Sequence, residues 1–237
     1  MTRSHIVRLL TSAALALIAT GCVAPRKDYA AFIAANPKSI LAIPVLNNTV
    51  NVDAPDYFLS TLPVPLAERG YYVFPVNLVK RLLEDEGLAD AGLVHRADPA
   101  KLAALFGADA LLYVTIQKWE AKWILIQTNV TVEFDYVLKD AKTGTVIWKD
   151  HETMEYSSNS NNSGGLIGAI VSAAVAKAAP DYMPLARRAN AQALAYPGPG
   201  FPAGPYRPEY QLDYPKAETQ QQPPPAQPMP PQRAEAR

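Results

Sequence analysis

Hydrophobic residues between Ser39 and Val76 occur in short β-prone runs separated by a disturbed helical pattern. Ile40 to Leu46 is nearly continuous and ends at an Asn-Asn turn signal, which predicts a strand, although Pro44 lacks the amide that a fully paired central strand needs. Residues 56–70 predict a helix disturbed by two prolines and ended by Gly70. Residues 71–76 (YYVFPV) predict a second short strand.

Two further helices are predicted between residues 77 and 107. In the first, leucines and a valine recur at helical spacing, Asn77 is the expected N-cap and Gly87 the expected end. The second is marked by an Asp98 cap, Pro99 at the first helical position and a terminal Gly107, with these inward-facing residues expected: Leu102, Leu105 and Phe106.

The pattern changes after Gly107. Residues 108–119 predict one strand, and residues 123–140 predict a long one of alternating apolar and polar residues, whose buried face is Val130, Val132, Phe134, Tyr136 and Leu138. A turn at 141–144 and a return strand at 145–156 complete an antiparallel meander of three strands. Together with the preceding strand–helix order, this predicts one α/β domain on a single mixed sheet, spanning residues 38–195.

The C-terminal part changes composition twice. A polar loop at 157–165 precedes a helical hairpin, or one helix broken at Pro180, up to residue 194. From Tyr196 to Arg237 the chain holds 12 of its 22 prolines with few aliphatic residues. Such a segment buries too little apolar surface to offset its ordering entropy, which predicts a disordered tail over 196–237.

The N-terminus resembles a lipoprotein signal peptide over residues 1–21. Two arginines precede an apolar stretch of about ten residues, too short to span a bilayer, and small residues then lead to Cys22, the single cysteine. We expect Cys22 to carry a diacylglycerol and, on its amino group, an acyl chain that bind the membrane. Val23 rather than aspartate follows, which by resemblance to Gram-negative sorting favours the outer membrane, with residues 22–37 as a tether and the domain facing the periplasm.

Charge and chemistry exclude several function classes. The 22 basic and 22 acidic residues balance to zero, which argues against a nucleic-acid binder. His95, expected in a polar inter-helix loop, and His151, facing away from its neighbours Asp150 and Glu152, do not form a metal site or a catalytic triad. No phosphate-binding or nucleophile-elbow motif is present. We therefore expect no catalytic, cofactor-binding or metal-binding residues, and hence a protein that is not an enzyme.

Two stretches are candidate interaction surfaces. Gly164, Gly165 and Gly168 open an uncharged, alanine-rich stretch, which indicates either a helix buried against the sheet or a self-association surface that would make a homo-oligomer. Trp119 and Trp123 flank a predicted hairpin, where they either cover the sheet edge or form a partner-binding tip.

Several long phrases resemble a family of bacterial lipoproteins of unknown function that includes a meningococcal genome-derived vaccine-candidate antigen. They are ILAIPVLNNTVNV, PLAERGYYVFPVNLV, FGADALLYVTI, KTGTVIWK and SGGLIGAIVSAAV, between Ser39 and Ala179. The resemblance implies an α/β sandwich similar to the N-terminal domain of TolB. It also implies an accessory role in envelope assembly or secretion, beside a lipoprotein related to the curli secretion pore.

These observations predict an outer-membrane lipoprotein that acts as a non-catalytic binding or scaffolding subunit of an envelope secretion or assembly system. Two alternatives stay open at this stage. One is a peptidoglycan-associated regulator that activates a cell-wall enzyme by contact, and the other is a hydrolase of unknown type.

Overall fold

A computed structural model of the chain describes residues 29–124, 127–157, 182–195 and 200–212, with side chains described except for 122–128 and 157. Its centre is one mixed sheet in the order β3-β1-β4-β5-β6, with β2 also paired to β4. The strands β1, β2 and β3 run parallel within their pairs, whereas β4, β5 and β6 form an antiparallel meander. The predicted α/β fold on a single mixed sheet is confirmed.

The first half of the chain supplies the parallel strands and six short helices. The elements are α1 (Ala30–Ala35), β1 (Ser39–Ala42), β2 (Leu46–Asn47), α2 (Ala54–Leu59), α3 (Pro63–Glu68), β3 (Tyr72–Val73), α4 (Val76–Asp85), α5 (Ala91–Arg96) and α6 (Pro99–Phe106). Pro44 separates β1 from β2, as expected of a residue without an amide donor. The same reasoning holds at Pro63, which begins α3 as a separate helix.

The end signals of α6 are confirmed atom by atom. The Asp98 carboxylate accepts from the Ala100 amide at 2.9 Å, Pro99 occupies the first turn, and Gly107 adopts a left-handed φ of 71°. The predicted inward position of Leu105 is wrong, because its side chain is 45% exposed. The predicted N-cap at Asn77 is also wrong: α4 begins at Val76, because Pro75 supplies an extended residue before it.

The meander consists of β4 (Ala110–Ile124), β5 (Gln127–Asp140) and β6 (Val146–Ser157). The five β5 residues predicted to share a buried face are all 0% exposed. Asp140 organises the tight turn into β6 by accepting from the amides of Lys142 and Thr143 and from the Thr143 hydroxyl. Alternation and turn chemistry thus agree, which fixes the register.

Two helical layers cover the sheet. One face packs on α4, α5 and α6, and the other on α1, α2, α3 and α7 (Met183–Asn190), which ends in a π-helical turn (Ala191–Ala195). The fully buried Asn190 accepts from the Tyr136 hydroxyl at 2.8 Å and donates to the Thr61 hydroxyl at 2.6 Å. This polar chain joins the sheet, α7 and the α2–α3 connection, and satisfies each buried group.

Residues 200–212, which we name the C-terminal strap, depart from the predicted disorder of 196–237. Phe201 is 0% exposed and packs edge-on against Phe32, Tyr71 and Trp148, with ring centroids 4.8–5.4 Å apart. Its carbonyl accepts from Arg69 at 2.6 Å, and the Gly204 amide donates to the Arg69 carbonyl at 2.8 Å. Long-range aromatic packing therefore orders a segment whose local composition favours disorder.

The domain also begins earlier than residue 38. Tyr29 and Phe32 are buried in the core, so residues 29–35 belong to the folded domain and not to the expected tether. α1, the strap and the β5–β6 turn lie at one end of the sheet, which we name the near end. The β2–α2 loop, the start of β5 and the start of α7 lie at the opposite, far end.

Candidate functional site

The outward surface of the meander at the far end carries polar side chains and is the strongest candidate site. Strand alternation turns one side of β4, β5 and β6 away from the core. We name this surface the open sheet face; its residues are Gln117, Lys118, Glu120, Thr131, Glu133, Asp135, His151, Thr153 and Glu155. The α4–α6 layer covers the near part of the same side, over Leu111 and Tyr113, so the open sheet face is confined to the far part.

The centre of the open sheet face is a hydrogen-bonded row across three strands. His151 Nδ1 lies 2.7 Å from Asp135 Oδ1, and Gln117 Nε2 donates to Asp135 Oδ2 at 2.6 Å. The bond to Asp135 is the main cause of a raised pKa for His151, with partial burial opposing it. Partial burial acts to raise the pKa of Asp135, but the bonds from His151 and Gln117 outweigh it and hold that pKa below its usual value.

A β-bulge adds a second charged row. The β4–β5 register shifts between Ile116 and Lys118, which brings both Gln117 and Lys118 to the open sheet face. The Lys118 ammonium forms an ion pair with Glu133, and this hydrogen bond raises the lysine pKa. With His151 neutral, the open sheet face carries the lysine against four carboxylates, those of Glu120, Glu133, Asp135 and Glu155, so it is acidic.

The order carboxylate, imidazole, hydroxyl occurs here, since Thr153 Oγ1 lies 3.3 Å from His151 Nε2. That order matches a hydrolytic triad, but a triad also needs donors aimed at a developing oxyanion. The amides of β5, an inner strand, are directed to β4 and β6 within the sheet and not above its face. The row therefore suits polar recognition better than nucleophilic attack.

A rigid loop with two exposed valines borders the open sheet face. Val50 is 99% exposed and Val52 is 86% exposed, in the connection between β2 and α2. The Asn47 side chain bridges the loop, donating to the Asn51 carbonyl at 2.8 Å and accepting from the Thr49 hydroxyl at 2.8 Å. We name residues 47–53 the valine loop. Because its backbone is held by side chains, the valines are presented to solvent in one arrangement.

The valine loop and the open sheet face form one continuous surface. Asn48 Nδ2 donates to Gln117 Oε1 at 3.0 Å, and its amide donates to the Ile116 carbonyl at 2.9 Å. Gln117 in turn donates to Asp135, so the contacts run from the loop to the histidine row. This site was missed by sequence reasoning because Gln117, Asp135 and His151 lie on three strands whose register becomes defined only in the sheet.

The residues predicted from sequence are distributed differently. Trp119 is 4% exposed and packs on Tyr182, with ring centroids 5.1 Å apart, so the packing alternative holds and the tip alternative is wrong for it. The Trp123 side chain, Cys22 and the glycines Gly164, Gly165 and Gly168 lie outside the described residues.

His95 also differs from expectation. It belongs to α5 and not to a loop, and its Nε2 lies 3.0 Å from the Pro44 carbonyl. Burial is the main cause of a lowered pKa, with the bond to Pro44 opposing it. A neutral imidazole that donates a hydrogen bond to a backbone carbonyl has a structural role.

Metal binding and membrane spanning find no support in the described ranges. No three residues among His, Cys, Asp and Glu are grouped there closely enough to hold an ion. Nor does any described helix combine the length and hydropathy required to cross a bilayer.

Comparison with known proteins gives a match over residues 27–195 to the family described as "Putative lipoprotein GNA1162-like". The chain belongs to this family. The protein described as "Putative lipoprotein NMB1124/NMB1162", from Neisseria meningitidis serogroup B, is 37% identical over 152 residues, which are 64% of this chain and 70% of that protein. Family membership indicates a membrane-anchored protein of the cell envelope, whose relatives are described as lipoproteins rather than enzymes.

Solved structures extend the comparison to the fold. The crystal structure of lipoprotein GNA1162 from Neisseria meningitidis is similar at a TM-score of 0.52 and 34% identity, covering 60% of this chain and 98% of that chain. The dodecamer of PelC from Paraburkholderia phytofirmans is a more distant likeness, with a TM-score of 0.43 and 17% identity, covering 70% of this chain and 90% of that chain.

Proposed function

We propose that this GNA1162-like chain is an outer-membrane lipoprotein, acylated at Cys22, that acts as a non-catalytic binding or scaffolding subunit of an envelope assembly or secretion system. Its partner is a protein that docks on the far end of the domain. The observation that carries the proposal is the continuous surface of valine loop and open sheet face.

The composition of this surface is that of a docking site. Val50 and Val52 supply apolar area that no described residue covers, and preorganisation by Asn47 and Thr49 lowers the entropy that binding would cost. The adjoining acidic residues favour a partner with basic side chains and raise the rate of encounter. An apolar centre with a charged rim is the usual anatomy of a protein interface.

The test is recovery of the partner from native membranes. The lipidated protein is extracted in mild detergent, purified by affinity, and its companions are identified by mass spectrometry. We expect stoichiometric recovery of an envelope component, such as a lipoprotein related to the curli secretion pore. Recovery of the lipidated chain alone, at native expression and after cross-linking, would refute the proposed subunit role.

Surface variants locate the contact. Val50→Asp and Glu155→Arg change exposed side chains at the far end, so each should lower partner recovery about tenfold without lowering the melting temperature. Glu86→Arg is the matched control, because it makes the same charge reversal on an exposed residue. Glu86 lies at the C-terminal end of α4 and not on the open sheet face. Equal loss of the partner in all three variants would place the contact elsewhere.

A further inference from the structure

The near end of the domain carries a helix that is unusual for a water-facing surface. α1 has the sequence AAFIAA, and Phe32 alone of its six side chains is fully buried. Ile33 is 41% exposed. Each of the other six described α-helices carries at least one charged residue or histidine, whereas α1 carries none. A surface helix normally turns a polar face to water, so the composition of α1 suits an apolar environment better than water.

A cleft beside α1 has one apolar wall and one mostly polar wall. It has a volume of about 370 Å³ and lies between α1 and the β5–β6 turn. The helix wall is formed by Ala31, Ala34 and Ala35, and the turn wall by Asp140, Lys142, Thr143, Thr145 and Ile147, most of which are polar. An apolar wall opposite a lysine and a hydroxyl matches the boundary between acyl chains and headgroups, where lysine stems and polar tips are both accommodated.

The short distance between α1 and the proposed lipid on Cys22 favours the bilayer as the partner of this surface. Ala30 follows Cys22 by eight positions, with seven residues between them. A fully extended chain of that length spans at most roughly 26–29 Å, so a lipid on Cys22 holds α1 within that distance of the bilayer. The far end is held away, because β4 has 15 residues and spans about 45 Å along the sheet.

We propose that α1 and its cleft form a membrane-contacting surface that rests on the phospholipid bilayer in which the Cys22 lipid is inserted. The surface orients the domain with its near end on the membrane and its far end directed away from it. This inference rests on the acylation of Cys22 in the proposed function, and it adds a second, non-covalent contact with the same bilayer.

The experiment uses the absence of any cysteine besides Cys22. In the lipidated full chain, the Cys22 thiol carries lipid, so a new cysteine is labelled alone. Ile33→Cys places a fluorophore on α1, and Val50→Cys places the matched control label on the valine loop. Both proteins are reconstituted in phosphatidylethanolamine–phosphatidylglycerol vesicles containing a nitroxide-labelled lipid that quenches fluorescence at short range.

We expect quenching on the order of threefold stronger at position 33, because an interfacial helix lies within roughly 5–10 Å of the acyl boundary and position 50 lies far beyond it. Ala34→Glu, which adds a charge to the exposed side of α1, should reduce quenching at position 33 while the lipid keeps the protein on the vesicles. Equal quenching at the two positions, or no effect of Ala34→Glu, would overturn the proposal.

A separate measurement distinguishes the two proposals. The mass of the Cys22-containing peptide reports acylation directly. An acylated peptide with equal quenching at both positions overturns the membrane contact and leaves the lipid anchor intact. An unmodified peptide overturns the anchor, and with it the orientation that depends on the short tether.

Discussion

Two tyrosines of the sheet give opposite predictions for the same chemical change. Tyr136 faces the α7 layer, is 0% exposed and donates to Asn190 at 2.8 Å. Tyr113 faces the α5 layer, is 5% exposed, and its hydroxyl has no hydrogen-bond partner among the described residues. Burial raises the pKa of Tyr113 to about 12, so both hydroxyls are protonated at neutral pH. Tyr→Phe at each position removes one oxygen atom and little else.

The change in unfolding free energy depends on whether the removed hydroxyl leaves a buried hydrogen-bonding group without a partner. At Tyr136 the change removes a buried hydrogen bond and deprives Asn190 Oδ1 of its donor, which should cost about 1–3 kcal/mol of unfolding free energy. Asn190 keeps its bond to Thr61, so the loss should not exceed this range. At Tyr113 the change removes a hydroxyl that was desolvated without compensation. We expect stability unchanged or raised, by up to about 1–2 kcal/mol.

Urea unfolding of the chain beginning at residue 23, prepared without lipid, measures both effects. Both variants should keep the wild-type slope, and the transition midpoint should fall for Tyr136→Phe but stay the same or rise for Tyr113→Phe. Because the two hydroxyls lie on opposite faces of the sheet, the double variant should show the sum of the single effects. Destabilisation of similar size in both single variants would refute the assignment of Tyr113 as uncompensated.

Three further predictions, the first with a control substitution, test the strap and the open sheet face. Phe201→Ala should cost about 3–5 kcal/mol in the same urea assay, because it empties a fully buried aromatic site, whereas Leu212→Ala, at a side chain 77% exposed, should stay within about 0.5 kcal/mol. Gly204→Ala would place a Cβ 2.2 Å from a backbone oxygen, so the strap should detach and trypsin should cleave it faster, and wild-type cleavage rates would contradict this close approach. His151→Gln should remove a stabilisation of the folded state that is complete below the ordinary pKa of 6.5 and is lost as the pH rises through the raised folded-state pKa. Because the pair is exposed, this stabilisation should be well under about 1 kcal/mol. A difference in melting temperature between variant and wild type that does not change with pH would exclude this contribution.

Local sequence patterns predicted the structure correctly where all the interacting residues lie in one short segment. Asp98, Pro99 and Gly107 predict α6 because cap, first turn and end lie within ten residues of each other. The β5 alternation predicts its buried face for the same reason, since the face is a property of a single strand. α5 was missed, because its Asp90 cap precedes a helix of only six residues with little apolar periodicity.

Features that depend on distant residues could not be predicted from local patterns. The strap is rich in glycine and proline, and its order comes from rings more than a hundred residues away, such as Tyr71 and Phe32. The candidate site has the same origin. Asp135 and His151 are 16 residues apart in sequence and face each other through the β5–β6 register. Considering only the sequence neighbours of His151 therefore missed its actual carboxylate partner.

The contacts between strap and α1 define a path for mechanical load. Phe201 packs on Phe32, the Tyr29 hydroxyl donates to the Gly200 carbonyl at 2.7 Å, and the Tyr210 hydroxyl bonds to the Asn36 side chain. Tension between the membrane tether and the residues after Leu212 would be carried by these contacts at the near end. It would peel the strap away one bond at a time and leave the ladders of β4, β5 and β6 unloaded. The far end would thus keep its shape while the anchored end is under tension.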